Sequence, residues 1–119
     1  MTSETMANLA AAALYDRRAE DIQIIHISDR SIIADYLVIA SGNTDIMVRA
    51  LAEEVQARME EAGFRHIRME GYREGRWAVI DYGDILVHIF HKEEREFYNL
   101  ERLWSDGTNT VNYTGETGE

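Results

Sequence analysis

One short stretch constrains the fold more than any other. Asp35-Tyr36-Leu37-Val38-Ile39-Ala40 carries a continuous apolar run, and Ser41-Gly42-Asn43-Thr44 follows as a four-residue loop. Met47, Leu51, Val55 and Met59 then recur every four residues, with Glu53, Glu54, Glu60 and Glu61 between them. A strand that is apolar on both sides has to be covered on both sides. The four-residue recurrence is one apolar stripe of an amphipathic helix. Asn43 or Thr44 can cap that helix, Asp45 suits its positive end, and Gly63 stands where a left-handed cap would close it. A strand and helix joined so tightly imply a right-handed crossover between parallel strands, and therefore an α/β sheet.

The remaining elements follow from local patterns. Met6, Leu9, Ala10, Ala13 and Leu14 mark a helix over residues 4–18, capped by Ser3 or Thr5. The Ile-rich segment 21–27 is a strand, and Ser28-Asp29-Arg30-Ser31 is a turn. His66-Ile67-Arg68-Met69-Glu70 alternates as a half-exposed strand does. Residues 77–81 and 85–90 flank Tyr82-Gly83-Asp84, which predicts an antiparallel hairpin. A last helix begins near Lys92, with Phe97, Leu100, Leu103 and Trp104 on one side. The fold class is α/β: a single-domain mixed sheet of about five strands with helices packed on it. The domain ends at residue 104. From Ser105 to Glu119 only Val111 and Tyr113 are large and apolar, so an unstructured tail is expected.

Composition excludes several functions. The 119 residues contain no Cys, which rules out disulfides, thiolate metal sites and a Cys nucleophile. No segment approaches the ~18 consecutive apolar residues that span a bilayer, so no membrane partner is expected. The first five residues lack a basic region, so no secretory signal is expected and the location is cytoplasmic. The net charge of −10 argues against a protein that tracks phosphates, because that mode needs a basic face. The acidity is not uniform. In residues 63–90, Arg65, Arg68, Arg73 and Arg76 balance Glu70, Glu74, Asp81 and Asp84.

Three constellations could carry chemistry. A Ser41-Gly42 loop between strand and helix can cradle a phosphate, as nucleotide-binding enzymes do. Nucleotidyl transfer also needs two metal-holding carboxylates one residue apart on a neighbouring strand. The strand after the helix offers only Glu70, with Arg68 in the other position. A metal site from His88, His91, Asp81 and Asp84 is a second reading, weakened because His88 and His91 are three apart at a strand end. No metal or cofactor is therefore expected. The third is the aromatic and charged cluster of residues 77–104. Phe90 and Phe97 belong to the core, whereas Tyr98, Glu94 and Arg95 turn elsewhere. Large aromatics and Arg on an exposed surface are what protein-binding hot spots are made of. Core packing and a protein-binding face both remain open readings of this cluster.

These segments together resemble a known family. Ala34-Asp35-Tyr36-Leu37-Val38-Ile39-Ala40-Ser41-Gly42, Glu70-Gly71, Gly75-Arg76-Trp77, Asp81-Tyr82-Gly83-Asp84, Val87-His88-Ile89-Phe90 and the run Arg95 to Trp104 are similar, in that order, to the Iojap family of ribosomal silencing factors. The resemblance implies a nucleotidyltransferase-like topology without the catalytic carboxylates. It implies no enzyme activity. It implies a translational repressor that binds the large ribosomal subunit through ribosomal protein L fourteen and blocks joining of the small subunit, with little direct RNA contact. Carried onto this chain, the partner-binding residues are Trp77, Asp81, Tyr82, Asp84, His91, Glu94, Arg95, Tyr98 and Asn99. The competing reading is a nucleotide-binding enzyme, a degenerate nucleotidyltransferase using Ser41-Gly42. A homodimer through residues 66–70 or through the aromatic patch is a further expectation.

Overall fold

The structure, a computed structural model, describes residues 2–28 and 33–115. Helix α1 (Ser3–Asp16) leads into strands β1 (Glu20–His26) and β2 (Tyr36–Gly42). Helix α2 (Asp45–Glu61) is followed by strands β3 (Arg68–Glu70), β4 (Trp77–Asp81) and β5 (Ile85–His91). The chain then forms short helices α3 (Lys92–Tyr98) and α4 (Leu100–Trp104) and strand β6 (Thr110–Asn112). The turn expected at 28–31 lies outside the described residues beyond Ser28.

The six strands among the described residues share one sheet in the order β3-β4-β5-β2-β1-β6. Only the central β2–β5 pair is parallel; the other neighbours are antiparallel. The connection through α2 does join strands of the same direction, but β3 is not the neighbour of β2. Strands β5 and β4 lie between them, so β5 supplies the parallel contact. There is one strand more than the five expected.

Two cores lie on opposite faces of the sheet. On the first, α1 and α2 cover Ile22, Ile24, Val38, Ala40, Ala78, Ile80, Val87 and Ile89. On the second, Ile25, Leu37, Ile39 and Phe90 are buried, with Trp77, Leu86, Leu100 and Trp104 packed against them. Strand β2 is buried along both faces, as its unbroken apolar run requires. Register lines up rows on the second face. One runs Arg68, Asp81, Leu86, Leu37, Ile25; the next runs Glu70, Val79, His88, Ile39, Gln23.

The caps show how local chemistry closes each helix. Thr44 accepts the Met47 N–H at 3.0 Å and so caps α2. The first helix is capped by Thr2, which accepts the Thr5 N–H, and not by Ser3 or Thr5. Helix α2 ends in a left-handed Gly63, φ +94°, with Gly63 N–H on the Glu60 carbonyl and Phe64 N–H on the Met59 carbonyl. This is the paired closure that glycine permits.

Two expectations are corrected here. Helix α3 does not continue to Trp104: Asn99 is left-handed, φ +49°, and α4 starts in a new phase. Residues after Ser105 are not structureless where described. Asp106 takes the N–H groups of Thr108 and Asn109, Asn109 donates to the His26 and Trp104 carbonyls, and β6 pairs with β1. Polar turn chemistry orders this segment together with Tyr113, which packs against the first core and meets the Tyr15 ring.

Two glycine substitutions separate the cost of backbone conformation from that of space. A Cβ at Gly63 meets nothing within 4 Å, whereas at Gly71, φ +79°, it would lie 1.9 Å from the Trp77 carbonyl oxygen. Urea unfolding should show Gly63→Ala losing about 1 kcal/mol, the left-handed penalty alone. Gly71→Ala should lose clearly more, and equal losses would contradict this account of the β3–β4 connection.

Candidate functional site: an aromatic ridge on the second face

Trp77 opens β4 on the second face, opposite Phe90 of β5. Its ring stacks on Phe90 at 4.7 Å between centroids and meets Tyr98 of α3 at 4.8 Å. Its indole N–H donates to His88 Nδ1 at 2.9 Å. Tyr98 in turn meets Phe97 edge-on at 5.0 Å. The rings thus form a ladder that starts buried at Phe90, passes through half-buried Trp77, and ends in solvent. Tyr98 is 49% exposed and Phe97 81% exposed.

A charged rim borders the ladder. Arg76 pairs with Glu94 at 2.6 Å and Glu93 at 3.1 Å. Both carboxylates raise the Arg76 pKa, Glu94 foremost. His91 Nδ1 accepts the Glu93 N–H at 3.2 Å and so caps α3. Further along the same face, Val79 and Leu86 are half-exposed in a cleft of about 360 Å³ with Arg68, Glu70 and Asp81.

The nine residues nominated from sequence separate in space. Trp77, His91, Glu94 and Tyr98 gather around the ladder and its rim. Asp81 sits four residues along β4 from Trp77, roughly 13 Å away at strand rise. Its Oδ1 accepts the Gly83 N–H at 2.8 Å and its Oδ2 pairs with Arg68 at 3.4 Å. Asp84 is exposed, and its carbonyl accepts the Asp35 N–H at 2.8 Å. Tyr82 is buried with the first core, its ring edge-on to His66. Burial, then the charge of Glu60, pushes its hydroxyl pKa up. Asn99 is exposed and breaks the helix.

Three side chains sit opposite to expectation. Phe97, placed in the core, is in solvent, and Leu103 is 75% exposed. Arg95, expected to turn outward, is 7% exposed. The change of phase at Asn99 explains these placements, because residues 97, 100 and 104 share a side only on an unbroken helix. An Asn in that position was the available signal, since Asn tolerates the left-handed region better than most residues. Phe97 and Leu103 are therefore surface residues that the apolar pattern alone conceals.

The remaining constellations disperse. His88 is buried with its Nδ1 taken by Trp77, so it does not join His91, Asp81 and Asp84 around a metal. His91, Glu93 and Glu94 do bring one ligand atom each within 4.8 Å of one another. The Arg76 guanidinium already occupies both carboxylates. At the Ser41-Gly42 loop, Ser41 is buried and its hydroxyl accepts from Arg95 Nη1 at 2.8 Å. That hydroxyl is committed inside the protein. No helix among the described residues is long and apolar enough to cross a membrane.

The profile of the family described as "Ribosomal silencing factor during starvation" matches residues 1–118. The chain is 45% identical over 106 residues to ribosomal silencing factor RsfS of Bacillus subtilis, covering 89% of this chain and 90% of that one. It is 34% identical over 105 residues to the mitochondrial Iojap-related protein of Arabidopsis thaliana, covering 82% of this chain and 56% of the relative. A crystal structure of a Chromobacterium violaceum protein superposes with a TM-score of 0.87 at 30% identity, covering 99% and 98% of the two chains. The mixed sheet with its packed helices is thus the architecture of solved relatives.

Burial gives the site a pH signature. It holds the His88 imidazole neutral, with its pKa lowered to about 4. The unfolded chain takes up this proton near pH 6.5, before the folded chain does. Stability is therefore full above about pH 6.5 and falls as pH drops toward 4, by up to about 3 kcal/mol. His88→Gln, which can still accept from Trp77, should flatten urea midpoints between pH 6.5 and 4. An unchanged slope would remove His88 as its source.

Proposed function

Because this chain belongs to the ribosomal silencing factor family, we propose that it represses translation by binding the large ribosomal subunit through ribosomal protein L fourteen. Bound there, it occupies the face that the small subunit must reach, and joining is blocked sterically. The protein acts by occupancy in the cytoplasm and performs no chemistry of its own.

The observation that supports this reading is the aromatic ridge of Trp77, Tyr98 and Phe97 standing on the sheet face that α1 and α2 leave open. Rigid aromatics in a desolvated centre, ringed by charge, are what concentrate binding energy in protein interfaces. Arg76, Glu93 and Glu94 supply the ring of charge. The overall charge of −10 favours a basic protein as target over RNA and speeds the encounter more than it deepens affinity. Asp81, Asp84, His91 and Asn99 are proposed as rim contacts. A second copy pairing along the edge strand β3 would leave the ridge free for docking.

Purified large subunits should carry the protein down a sucrose gradient, and a protein that stays at the top with subunits in excess overturns the proposal. Phe97→Ala and Tyr98→Ala should each weaken co-sedimentation about tenfold or more, as hot-spot truncations do, with circular dichroism unchanged. Tyr82→Ala should instead lower the unfolding free energy by about 2 kcal/mol or more, because its ring is in the first core. A Tyr82 variant of native stability that fails to bind would return that residue to the interface.

A further inference from the structure

We infer that Arg95 is the positioning residue of the docking ridge: a buried guanidinium that fixes α3 on the sheet and so sets where Phe97 and Tyr98 stand. The inference rests on the docking reading above and adds to it a residue that touches no partner.

Helix α3 is seven residues long, and Arg95 is the one residue it buries. Phe97 faces solvent and Tyr98 is half-exposed with its ring on Trp77, so no apolar side chain of α3 is buried in the core. Beside that ring contact and the Arg76 pairs with Glu93 and Glu94, attachment falls to Arg95. Arg95 Nε donates to Glu101 Oε2 of α4 at 3.1 Å. Its Nη1 donates to the Asp21 carbonyl at 2.6 Å, to Ser41 Oγ at 2.8 Å and, at 3.5 Å, to the Glu20 carbonyl. One side chain thus ties α3 to α4, β1 and β2. A charge this deep is tolerated only when it is paired and hydrogen-bonded, and these contacts leave the arrangement little freedom to slide.

The receiving surface is shaped for it. The β1–β2 register slips between Glu20 and Gln23, and Asp21 is held left-handed at φ +51°. That conformation costs a non-glycine residue about 1–2 kcal/mol. The irregularity puts the Glu20 and Asp21 carbonyls within reach of the guanidinium. The Arg95 carbonyl also accepts the Asn99 N–H at 2.9 Å, at the reversal that brings Glu101 back to it. Lysine could not repeat this, since an ammonium lacks the planar fork that serves Glu101 and the sheet together.

The test combines Arg95→Met and Arg95→Lys with the double variant Phe97→Ala/Tyr98→Ala. Far-ultraviolet circular dichroism should keep its sheet signal in both Arg95 variants. Binding of Arg95→Met to large subunits should fall about tenfold or more. In the Phe97→Ala/Tyr98→Ala background the same change should cost less than about twofold, because the ridge it positions is gone. Equal losses in both backgrounds, or no loss in the first, would overturn the inference. Hydrogen exchange gives a readout that needs no ribosome. Amides of residues 92–98 should exchange faster in Arg95→Lys while those of β2 and β5 do not, and unchanged exchange in α3 would also overturn it. If the unaltered protein fails to bind subunits but its α3 loosens in Arg95→Lys, the docking reading falls and the clamp stands. Should Arg95→Met fail to fold, the Lys variant carries both measurements.

Discussion

Strand β2 is apolar on both sides, and most of the structure answers that demand. One side is met in full by α1 and α2. The other is met only in part, by Leu100 and Trp104 of one short helix and by Trp77 at the head of β4. Helix α3 buries no apolar side chain in this second face and is held by a buried arginine, with the Tyr98 ring resting on Trp77. What is left uncovered is a graded surface: Phe90 inside, Trp77 between, Tyr98 and Phe97 outside. A fold that covers one face with two long helices and the other with two short ones leaves an apolar surface for a partner to complete.

The sequence disclosed the elements that repeat and concealed those that depend on a single atom pair. Four-residue recurrence in α2 and the hairpin at Gly83 were legible because many residues vote for each. Strand β4 was placed at its observed bounds, 77–81, for the same reason. Strand β6 was not legible: it is three residues long and its one large apolar side chain is exposed. Its order comes from Asp106 and Asn109, whose bonds reach the backbone of distant residues. The hidden Arg95 follows the same rule. Charge in sequence reads as solvent exposure, and only the bulge at Asp21 and the Ser41 hydroxyl show why this one is inside. The site was legible in outline, as an aromatic cluster in residues 77–104. Which of those rings is core and which is surface turned on the conformation of Asn99.

Charge bears on partner choice through its distribution. The chain as a whole is acidic, yet residues 63–90, which carry Trp77 and the open strands, are balanced. In the proposed complex, long-range attraction to a basic protein comes from the whole molecule, while close contact falls to rings and a few ion pairs. The Ser41-Gly42 loop fits this picture from the other side. Where a nucleotide-binding enzyme would offer its hydroxyl to phosphate, this chain spends it on Arg95, and the loop helps to hold the ridge.

The proposed function rests on occupancy of the large subunit preventing joining. It is tested most directly by light scattering of purified subunits, with the small subunit added to large subunits already incubated with this protein. The joining amplitude should fall as the protein approaches one copy per large subunit, and Phe97→Ala/Tyr98→Ala should restore it. Joining that proceeds unchanged with the protein in excess and bound to the large subunit would contradict the account.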